Sequence, residues 1–258
     1  MTNDVFHVES LLIIALFVGV RVSGLMVFAP FLAGSAIPIR VKIGLTVALT
    51  ALLSFVPTPA TLSASPFELA RIVLSELTVG LVLGITLSFV MDSVQFAGQV
   101  LGVQLGFSLV NIIDPQTQVD TPVLSIFHEL VTLLLLLQMN VHHWLLRGLA
   151  RSFVYLPAGA GMSTVASTEL LLRAAGGIFL VGVQIAAPAL VATLIADIML
   201  GFLGKASPNL PVLFIGLSVK TMLGLVVMIA ALAAWPRVLE KHFTEAIALG
   251  EKLLQLAK

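Results

Sequence analysis

QFAGQVLGVQLGFSLVNIIDPQTQVDTP, residues 95 to 122, is where a very apolar chain becomes chemically varied. Gly98, Gly102 and Gly106 recur every fourth residue, so a helix places them on one stripe that lets a neighbouring backbone approach closely. Asp92, Gln95 and Gln99 fall on the same side. A small, polar face suits other helices or a wet lumen and not lipid. The helix is expected to break after Asn111. Asp114-Pro115 then favours a turn, Gln116 to Thr121 form a loop without Lys or Arg, and Pro122 restarts the chain. Two readings follow: a re-entrant, plug-like or pore-lining element, or a small-residue packing helix with its connection.

Outward from that stretch, 59% of the 258 residues are hydrophobic and 10% are charged, where a soluble domain carries about 25%. Mean hydropathy is +1.13. The fold class this implies is an all-α, polytopic helical membrane protein with kinked hairpins. Thirteen basic and thirteen acidic residues leave no net charge and no basic run, which sets nucleic-acid binding aside. The absence of cysteine excludes disulfides, thiolate metal sites and a Cys nucleophile. MTNDVFHVES lacks the basic start of a cleavable signal peptide, so the first apolar span is expected to be retained.

Leu11 to Leu32 is long enough to cross a bilayer but carries Arg21, so it needs an inner face. Val41 to Val56 is short for a span. Leu69 to Met91 is a longer helix containing Arg71 and Glu76, and Val123 to Met139 holds five consecutive leucines. His142, His143, Arg147 and Arg151 follow on an amphipathic piece, and Pro157 to Ser167 marks the one plausible internal boundary. Leu170 to Leu203 exceeds a standard span and contains Pro188; Val212 to Trp235 returns, and Arg237 to Lys258 is an amphipathic tail with Leu239, Phe243, Ile247 and Leu254 towards one side. The positive-inside rule puts the N-terminus outside, and Arg40, Lys42 and the tail inside. Counting Gln95 to Ile113 as a crossing places His142 to Arg151 inside as well; counting it as re-entrant changes every later assignment.

His128-Glu129 opens HELVT, one ligand short of the H-E-x-x-H zinc motif because position 132 is Thr, so packing or a buried hydrogen bond is the better reading. Gly106-Phe-Ser-Leu resembles part of a nucleophilic-serine turn, but nothing nearby specifies a base. No nucleotide loop, cofactor motif or enzyme signature emerges. The strongest constellation is Asp197 and Lys220, which lie 11 and 12 residues either side of Pro208. Antiparallel helices bring them to one depth, roughly 17 Å from the turn, where a buried ion pair is expected. Arg21 and Glu76 are further intramembrane charges. A secondary transporter would use such midplane charges, but it should show inverted repeats, and no matched halves are visible.

Arg21-Val-Ser-Gly with Phe28-Ala-Pro-Phe, Ile37-Pro-Ile-Arg-Val-Lys-Ile-Gly, the Gly-rich stretch ending Ile113-Asp-Pro, Ala196-Asp-Ile-Met-Leu-Gly, Ser207-Pro-Asn-Leu-Pro-Val and Gly216-Leu-Ser-Val-Lys together resemble the FliR family of flagellar export-gate proteins. The SctT proteins of virulence injectisomes are its relatives. The resemblance spans nearly the whole chain; each motif is loose, and their order and spacing carry it. It implies an R-type subunit with a P-like part over 1–156, including the plug stretch 95–122, and a Q-like hairpin with its tail over 157–258. It also implies FliP-like and FliQ-like partner subunits, FlhB-like and FlhA-like membrane proteins, and unfolded exported proteins as the cargo. Carried over by position, the plug falls on Phe107, Leu109, Asn111, Ile112, Ile113, Asp114 and Pro115. The implied location is the bacterial inner membrane at the flagellar basal body, with part of the core on the periplasmic side. Helices shielded by partners would be apolar without crossing lipid, which suits the short Val41 to Val56. Flagellar or injectisome membership stays open, with the flagellar one favoured because no extra domain or tail is evident.

Overall fold

A computed structural model describes residues 2–34, 37–54, 65–107, 123–159, 165–207 and 212–256. Among these residues all regular structure is helical: α1 (Thr2–Phe28), α2 (Pro30–Ala33), α3 (Ile39–Leu53), α4 (Pro66–Gln104), α5 (Val123–Gln138), α6 (Val141–Tyr155), α7 (Val165–Ala206), α8 (Val212–Leu232) and α9 (Trp235–Leu256).

Prolines and caps set the boundaries. Ala29, which precedes Pro30, is extended at φ −61°, ψ 121°, because the proline ring disfavours the helical region for the residue before it. The first span therefore closes at Phe28 and not at Leu32. At the start of α4, Pro66 occupies the first turn. The Ser65 N–H donates to Glu68 Oε2 at 2.9 Å, and the Glu68 N–H donates to Ser65 Oγ at 3.4 Å. This reciprocal capping box satisfies two N–H groups that have no partner inside the helix.

From that cap α4 runs 39 residues without interruption. It merges the expected Leu69–Met91 helix with the start of the Gly-striped segment. At 1.5 Å per residue it is roughly 58 Å long, about twice the hydrocarbon thickness of a bilayer. Its end also differs from expectation: the helix stops at Gln104 and not after Asn111. There the Phe107 N–H reaches the Gly102 carbonyl at 2.9 Å and the Gly106 N–H reaches that of Val103 at 3.1 Å, with Gly106 at φ +84°. This is a Schellman cap, which demands a left-handed residue just past the helix. Gly106 accordingly serves as the cap and leaves the packing stripe.

α4, Leu171–Ala206 of α7 and Ile215–Leu232 of α8 are long and apolar enough to cross a membrane. α5 and α6 pass that test only together, bent by 67° at Met139-Asn140. Asn140 sits there at φ +58°, a conformation that Asn tolerates better than most side chains. α3 has 15 residues and buries none of them, and at roughly 22 Å it is too short to cross alone.

The chain divides into two compact units, each built from separated stretches: residues 1–89, 136–175 and 243–258, and residues 90–135 and 176–242. In the first unit helical stripes supply the core. Val18, Val22 and Leu25 of α1, Val79, Leu83 and Leu87 of α4, and Leu145, Leu149 and Phe153 of α6 are all buried. α1 and α4 cross at glycines: a Cβ on Gly24 would lie 2.6 Å from the Leu77 carbonyl oxygen, one on Gly80 would strike the Arg21 carbonyl, and one on Gly84 would meet Phe28 Cβ at 2.9 Å. In the second unit Gly98 plays that part, since its Cβ would lie 2.5 Å from Ser125 Cα of α5.

Candidate functional site

In the second unit the end of α4 is tied to α7 and α8, and from that end the chain departs into residues 108–122. Asp197, on α7, accepts from Lys220 Nζ of α8 at 2.7 Å and from Gln104 Nε2, the last residue of α4, at 3.3 Å. Thr221 Oγ1 donates to the Leu105 carbonyl at 2.8 Å, capturing one of the carbonyls a helix leaves without an internal partner at its C-terminus. A Cβ on Gly224, one turn along α8, would collide with the Leu105 side chain, so α8 also packs closely here. The returning end of the chain is held as well. Ser125 Oγ donates to the Gln95 carbonyl at 3.1 Å, and Gly98 lies against the Leu124–Ser125 backbone. Both flanks of the connection are thus fixed on α4.

The Asp197–Lys220 pair is less buried than the sequence suggested. Its side chains are 43% and 15% exposed, even though Gln104 and Lys220 both reach the carboxylate. Of the small-residue positions, Gly98 and Gly102 are buried within α4, whereas Gly106 is the cap described above. Phe107 is 36% exposed in the turn that leaves α4. Leu109, Asn111, Ile112, Ile113, Asp114 and Pro115 lie outside the described residues.

A second constellation, in the first unit, joins charges that the sequence left unpaired. Arg21 Nε donates to Glu76 Oε2 at 2.6 Å, and both side chains are at most 2% exposed. Both terminal nitrogens are engaged as well: Nη1 donates to Ser152 Oγ at 3.0 Å and Nη2 to the Leu156 carbonyl at 2.9 Å. The guanidinium carbon stands 4.1 Å from the Phe153 ring centroid, a cation–π contact. Glu76 Oε1 in turn accepts the Gly159 N–H at 2.8 Å. One buried ion pair therefore fixes α1, α4, the end of α6 and the chain just beyond it. Such a charge pair survives out of water only when hydrogen bonds replace its hydration, and here every guanidinium nitrogen and both carboxylate oxygens have a partner. The sequence signal available was two opposite charges within apolar helices, with no spacing to link them.

HELVT behaves as a packing motif. His128 and Thr132 are fully buried, the His128 Nδ1–H donates to the Leu124 carbonyl at 2.6 Å, and its ring lies 4.9 Å from that of Trp235. No group of three metal-ligating side chains occurs among the described residues.

The model of the family described as bacterial export proteins, family 1, matches residues 12–246. The chain is 31% identical over 230 residues to the flagellar biosynthetic protein FliR of Escherichia coli (strain K12), covering 89% of this chain and 88% of that protein. It is 27% identical to FliR of Bacillus subtilis (strain 168), covering 93% and 94%, and 26% identical to FliR of Aquifex aeolicus (strain VF5), covering 97% of each. With an all-helical fold of membrane-crossing length and a match over nearly its whole extent, the chain belongs to the FliR family of bacterial export proteins.

Proposed function

We propose that this protein is a non-catalytic wall and plug subunit of the flagellar export gate, the pore through which unfolded flagellar proteins cross the inner membrane. The observation that carries this reading is the fixing of both flanks of residues 108–122 on α4, through Gln104, Asp197, Lys220 and Thr221 on one side and Ser125 on the other. A displaceable seal needs such a frame, so that an entering chain moves the loop and not the helices. The loop itself offers apolar bulk at Leu109, Ile112 and Ile113 and no Lys or Arg. An apolar constriction excludes water and with it ions.

Partners of FliP-like and FliQ-like type would cover the outer helices. α7 and α8 leave Phe179, Leu180, Ile198, Phe202, Met222 and Ile229 well exposed, more apolar surface than a lone soluble protein carries. On this reading residues 1–156 form the P-like part and 157–258 the Q-like hairpin. FlhB-like and FlhA-like proteins adjoin the gate, and part of the core stands on the periplasmic side.

The chain has no cysteine, so one introduced thiol is a unique probe. We predict that Gln116→Cys, in a complex that co-purifies with the partner subunits, cross-links to an export substrate stalled by a folded fusion, and that Gly44→Cys on α3 does not. An assembled complex in which the thiol introduced at position 116 never touches stalled substrate would defeat the plug assignment. A chain that purifies without any partner subunit would defeat the gate reading itself.

A further inference from the structure

In the first unit α6 and α9 line a groove of about 300 Å³ that carries charged side chains on both walls. Trp144, Arg147 and Arg151 form one wall, spaced three and four residues apart on a single stripe of α6. Thr244, Ile247, Ala248 and Glu251 form the other, with the same periodicity on α9. Arg151 is already engaged, its Nη1 donating to Glu251 Oε1 at 3.2 Å. Arg147 is exposed and has no hydrogen bond, ion pair or ring contact among the described residues. The groove therefore carries one uncompensated positive charge, with an indole on one side and an aliphatic floor at Ile247 and Ala248.

We propose that this groove holds the phosphodiester headgroup of an anionic membrane phospholipid, with Arg147 as its principal contact. The guanidinium presents paired donors that match two phosphate oxygens, the arrangement in which arginine outperforms lysine. Trp144 has the amphipathic ring characteristic of the boundary between headgroups and acyl chains. One turn beyond Arg151 stands Val154, 72% exposed, an apolar surface on which an acyl chain rests as it leaves the groove. Both helices are amphipathic, with buried stripes at Leu145, Leu149 and Phe153 and at Phe243, Leu253 and Leu254, so the groove opens on their polar flanks, the kind of face an interfacial helix turns to lipid headgroups. The single net charge favours a lipid that brings one phosphate and no amine. A zwitterionic headgroup would need a free carboxylate for its ammonium, and Glu251 is held by Arg151.

The test is native mass spectrometry of the purified full-length protein, with whatever subunits accompany it, delipidated and titrated with phosphatidylglycerol, phosphatidylethanolamine or inorganic phosphate. Phosphatidylglycerol is expected to be retained in preference to phosphatidylethanolamine. Arg147→Gln should weaken that retention by roughly tenfold, the loss of one charge-assisted contact, while Arg71→Gln, an exposed arginine elsewhere, should leave it unchanged. Equal retention of both lipids, or no effect of Arg147→Gln, overturns the proposal. Displacement of the lipid by millimolar inorganic phosphate makes this a simple anion site and overturns it too. Should Arg147→Gln not accumulate, Ile247→Trp fills the groove while keeping every charge, and unaltered retention in that variant is equally fatal.

Discussion

Asp197–Lys220 and Arg21–Glu76 are both ion pairs, an ammonium in one and a guanidinium in the other, and their energetics are unequal chiefly because burial differs. With 43% of the Asp197 side chain open, the first pair is screened, and its coupling is about 1 kcal/mol. We predict that Asp197→Asn and Lys220→Met each lower the thermal stability of the purified protein modestly, and that the double variant loses less than the sum. Strict additivity in that cycle would show that the two groups do not interact. The Arg21–Glu76 pair is closed to solvent, and removing one partner leaves a buried charge without compensation, a loss of about 3 to 5 kcal/mol. Glu76→Gln is therefore predicted to abolish stable accumulation of the protein, whereas Arg21→Met with Glu76→Met recovers a substantial part of it; a double variant as unstable as Glu76→Gln refutes this account. The first pair was legible in sequence because equal distances from a turn fix equal depth in a hairpin. The second was not, since Glu76, Ser152, Leu156 and Gly159 reach Arg21 from distant segments whose meeting is decided by packing.

Among the helices, glycine spacing announced close approach but not which glycines perform it. Gly98, Gly102 and Gly106 share one helical stripe, yet the helix stops at Gln104, and the third of them answers to a backbone angle of +84°. A packing glycine and a capping glycine are identical in sequence, and only the point where the i to i−4 ladder ends separates them. The Gly80-Leu-Val-Leu-Gly84 run, which makes the α1–α4 crossing, carried the same signal inside an otherwise uniform apolar helix. Helix existence and most boundaries were legible, since apolar runs, Pro66, Pro30 and Ser65–Glu68 act locally. The continuity of α4 was not, because polar residues at Asp92, Gln95 and Gln99 imitate a change of element. We predict that Gly98→Ala, whose new methyl meets the Ser125 backbone at 2.5 Å, destabilises the protein by about 1 to 3 kcal/mol. Gly201→Ala on α7, where nothing lies within 4 Å, should instead be neutral or gain up to about 1 kcal/mol from helix propensity. Thermal melts in detergent compare the two, and equal stability would mean that α4 and α5 do not approach at Gly98.

On the proposed reading of the whole molecule, wall and seal would be separable functions, and the geometry around α4 makes the separation testable. Removing Ser108 to Gln118 leaves Val119 to Pro122, four residues able to bridge up to roughly 13 Å. Gly98 already touches Ser125, and the helix from Gly98 to Gln104 rises only about 9 Å. The shortened connection can therefore close without pulling α4 and α5 apart. Packing at Gly98, the Ser125 bond to Gln95 and the Thr221 bond to Leu105 all lie outside the deletion and persist. We predict that the shortened chain still assembles with its partners, since the contacts named above lie on the flanking helices, but that the complex conducts small ions when reconstituted in planar bilayers and makes cells salt-sensitive when overproduced. Replacing Asn111 alone with Ala should produce neither effect, because a seal made by dewetting depends on apolar bulk and not on one hydrogen bond. A shortened chain that assembles and conducts no more than the intact one would strip residues 108–122 of any sealing role and leave them as the connection between two packed helices.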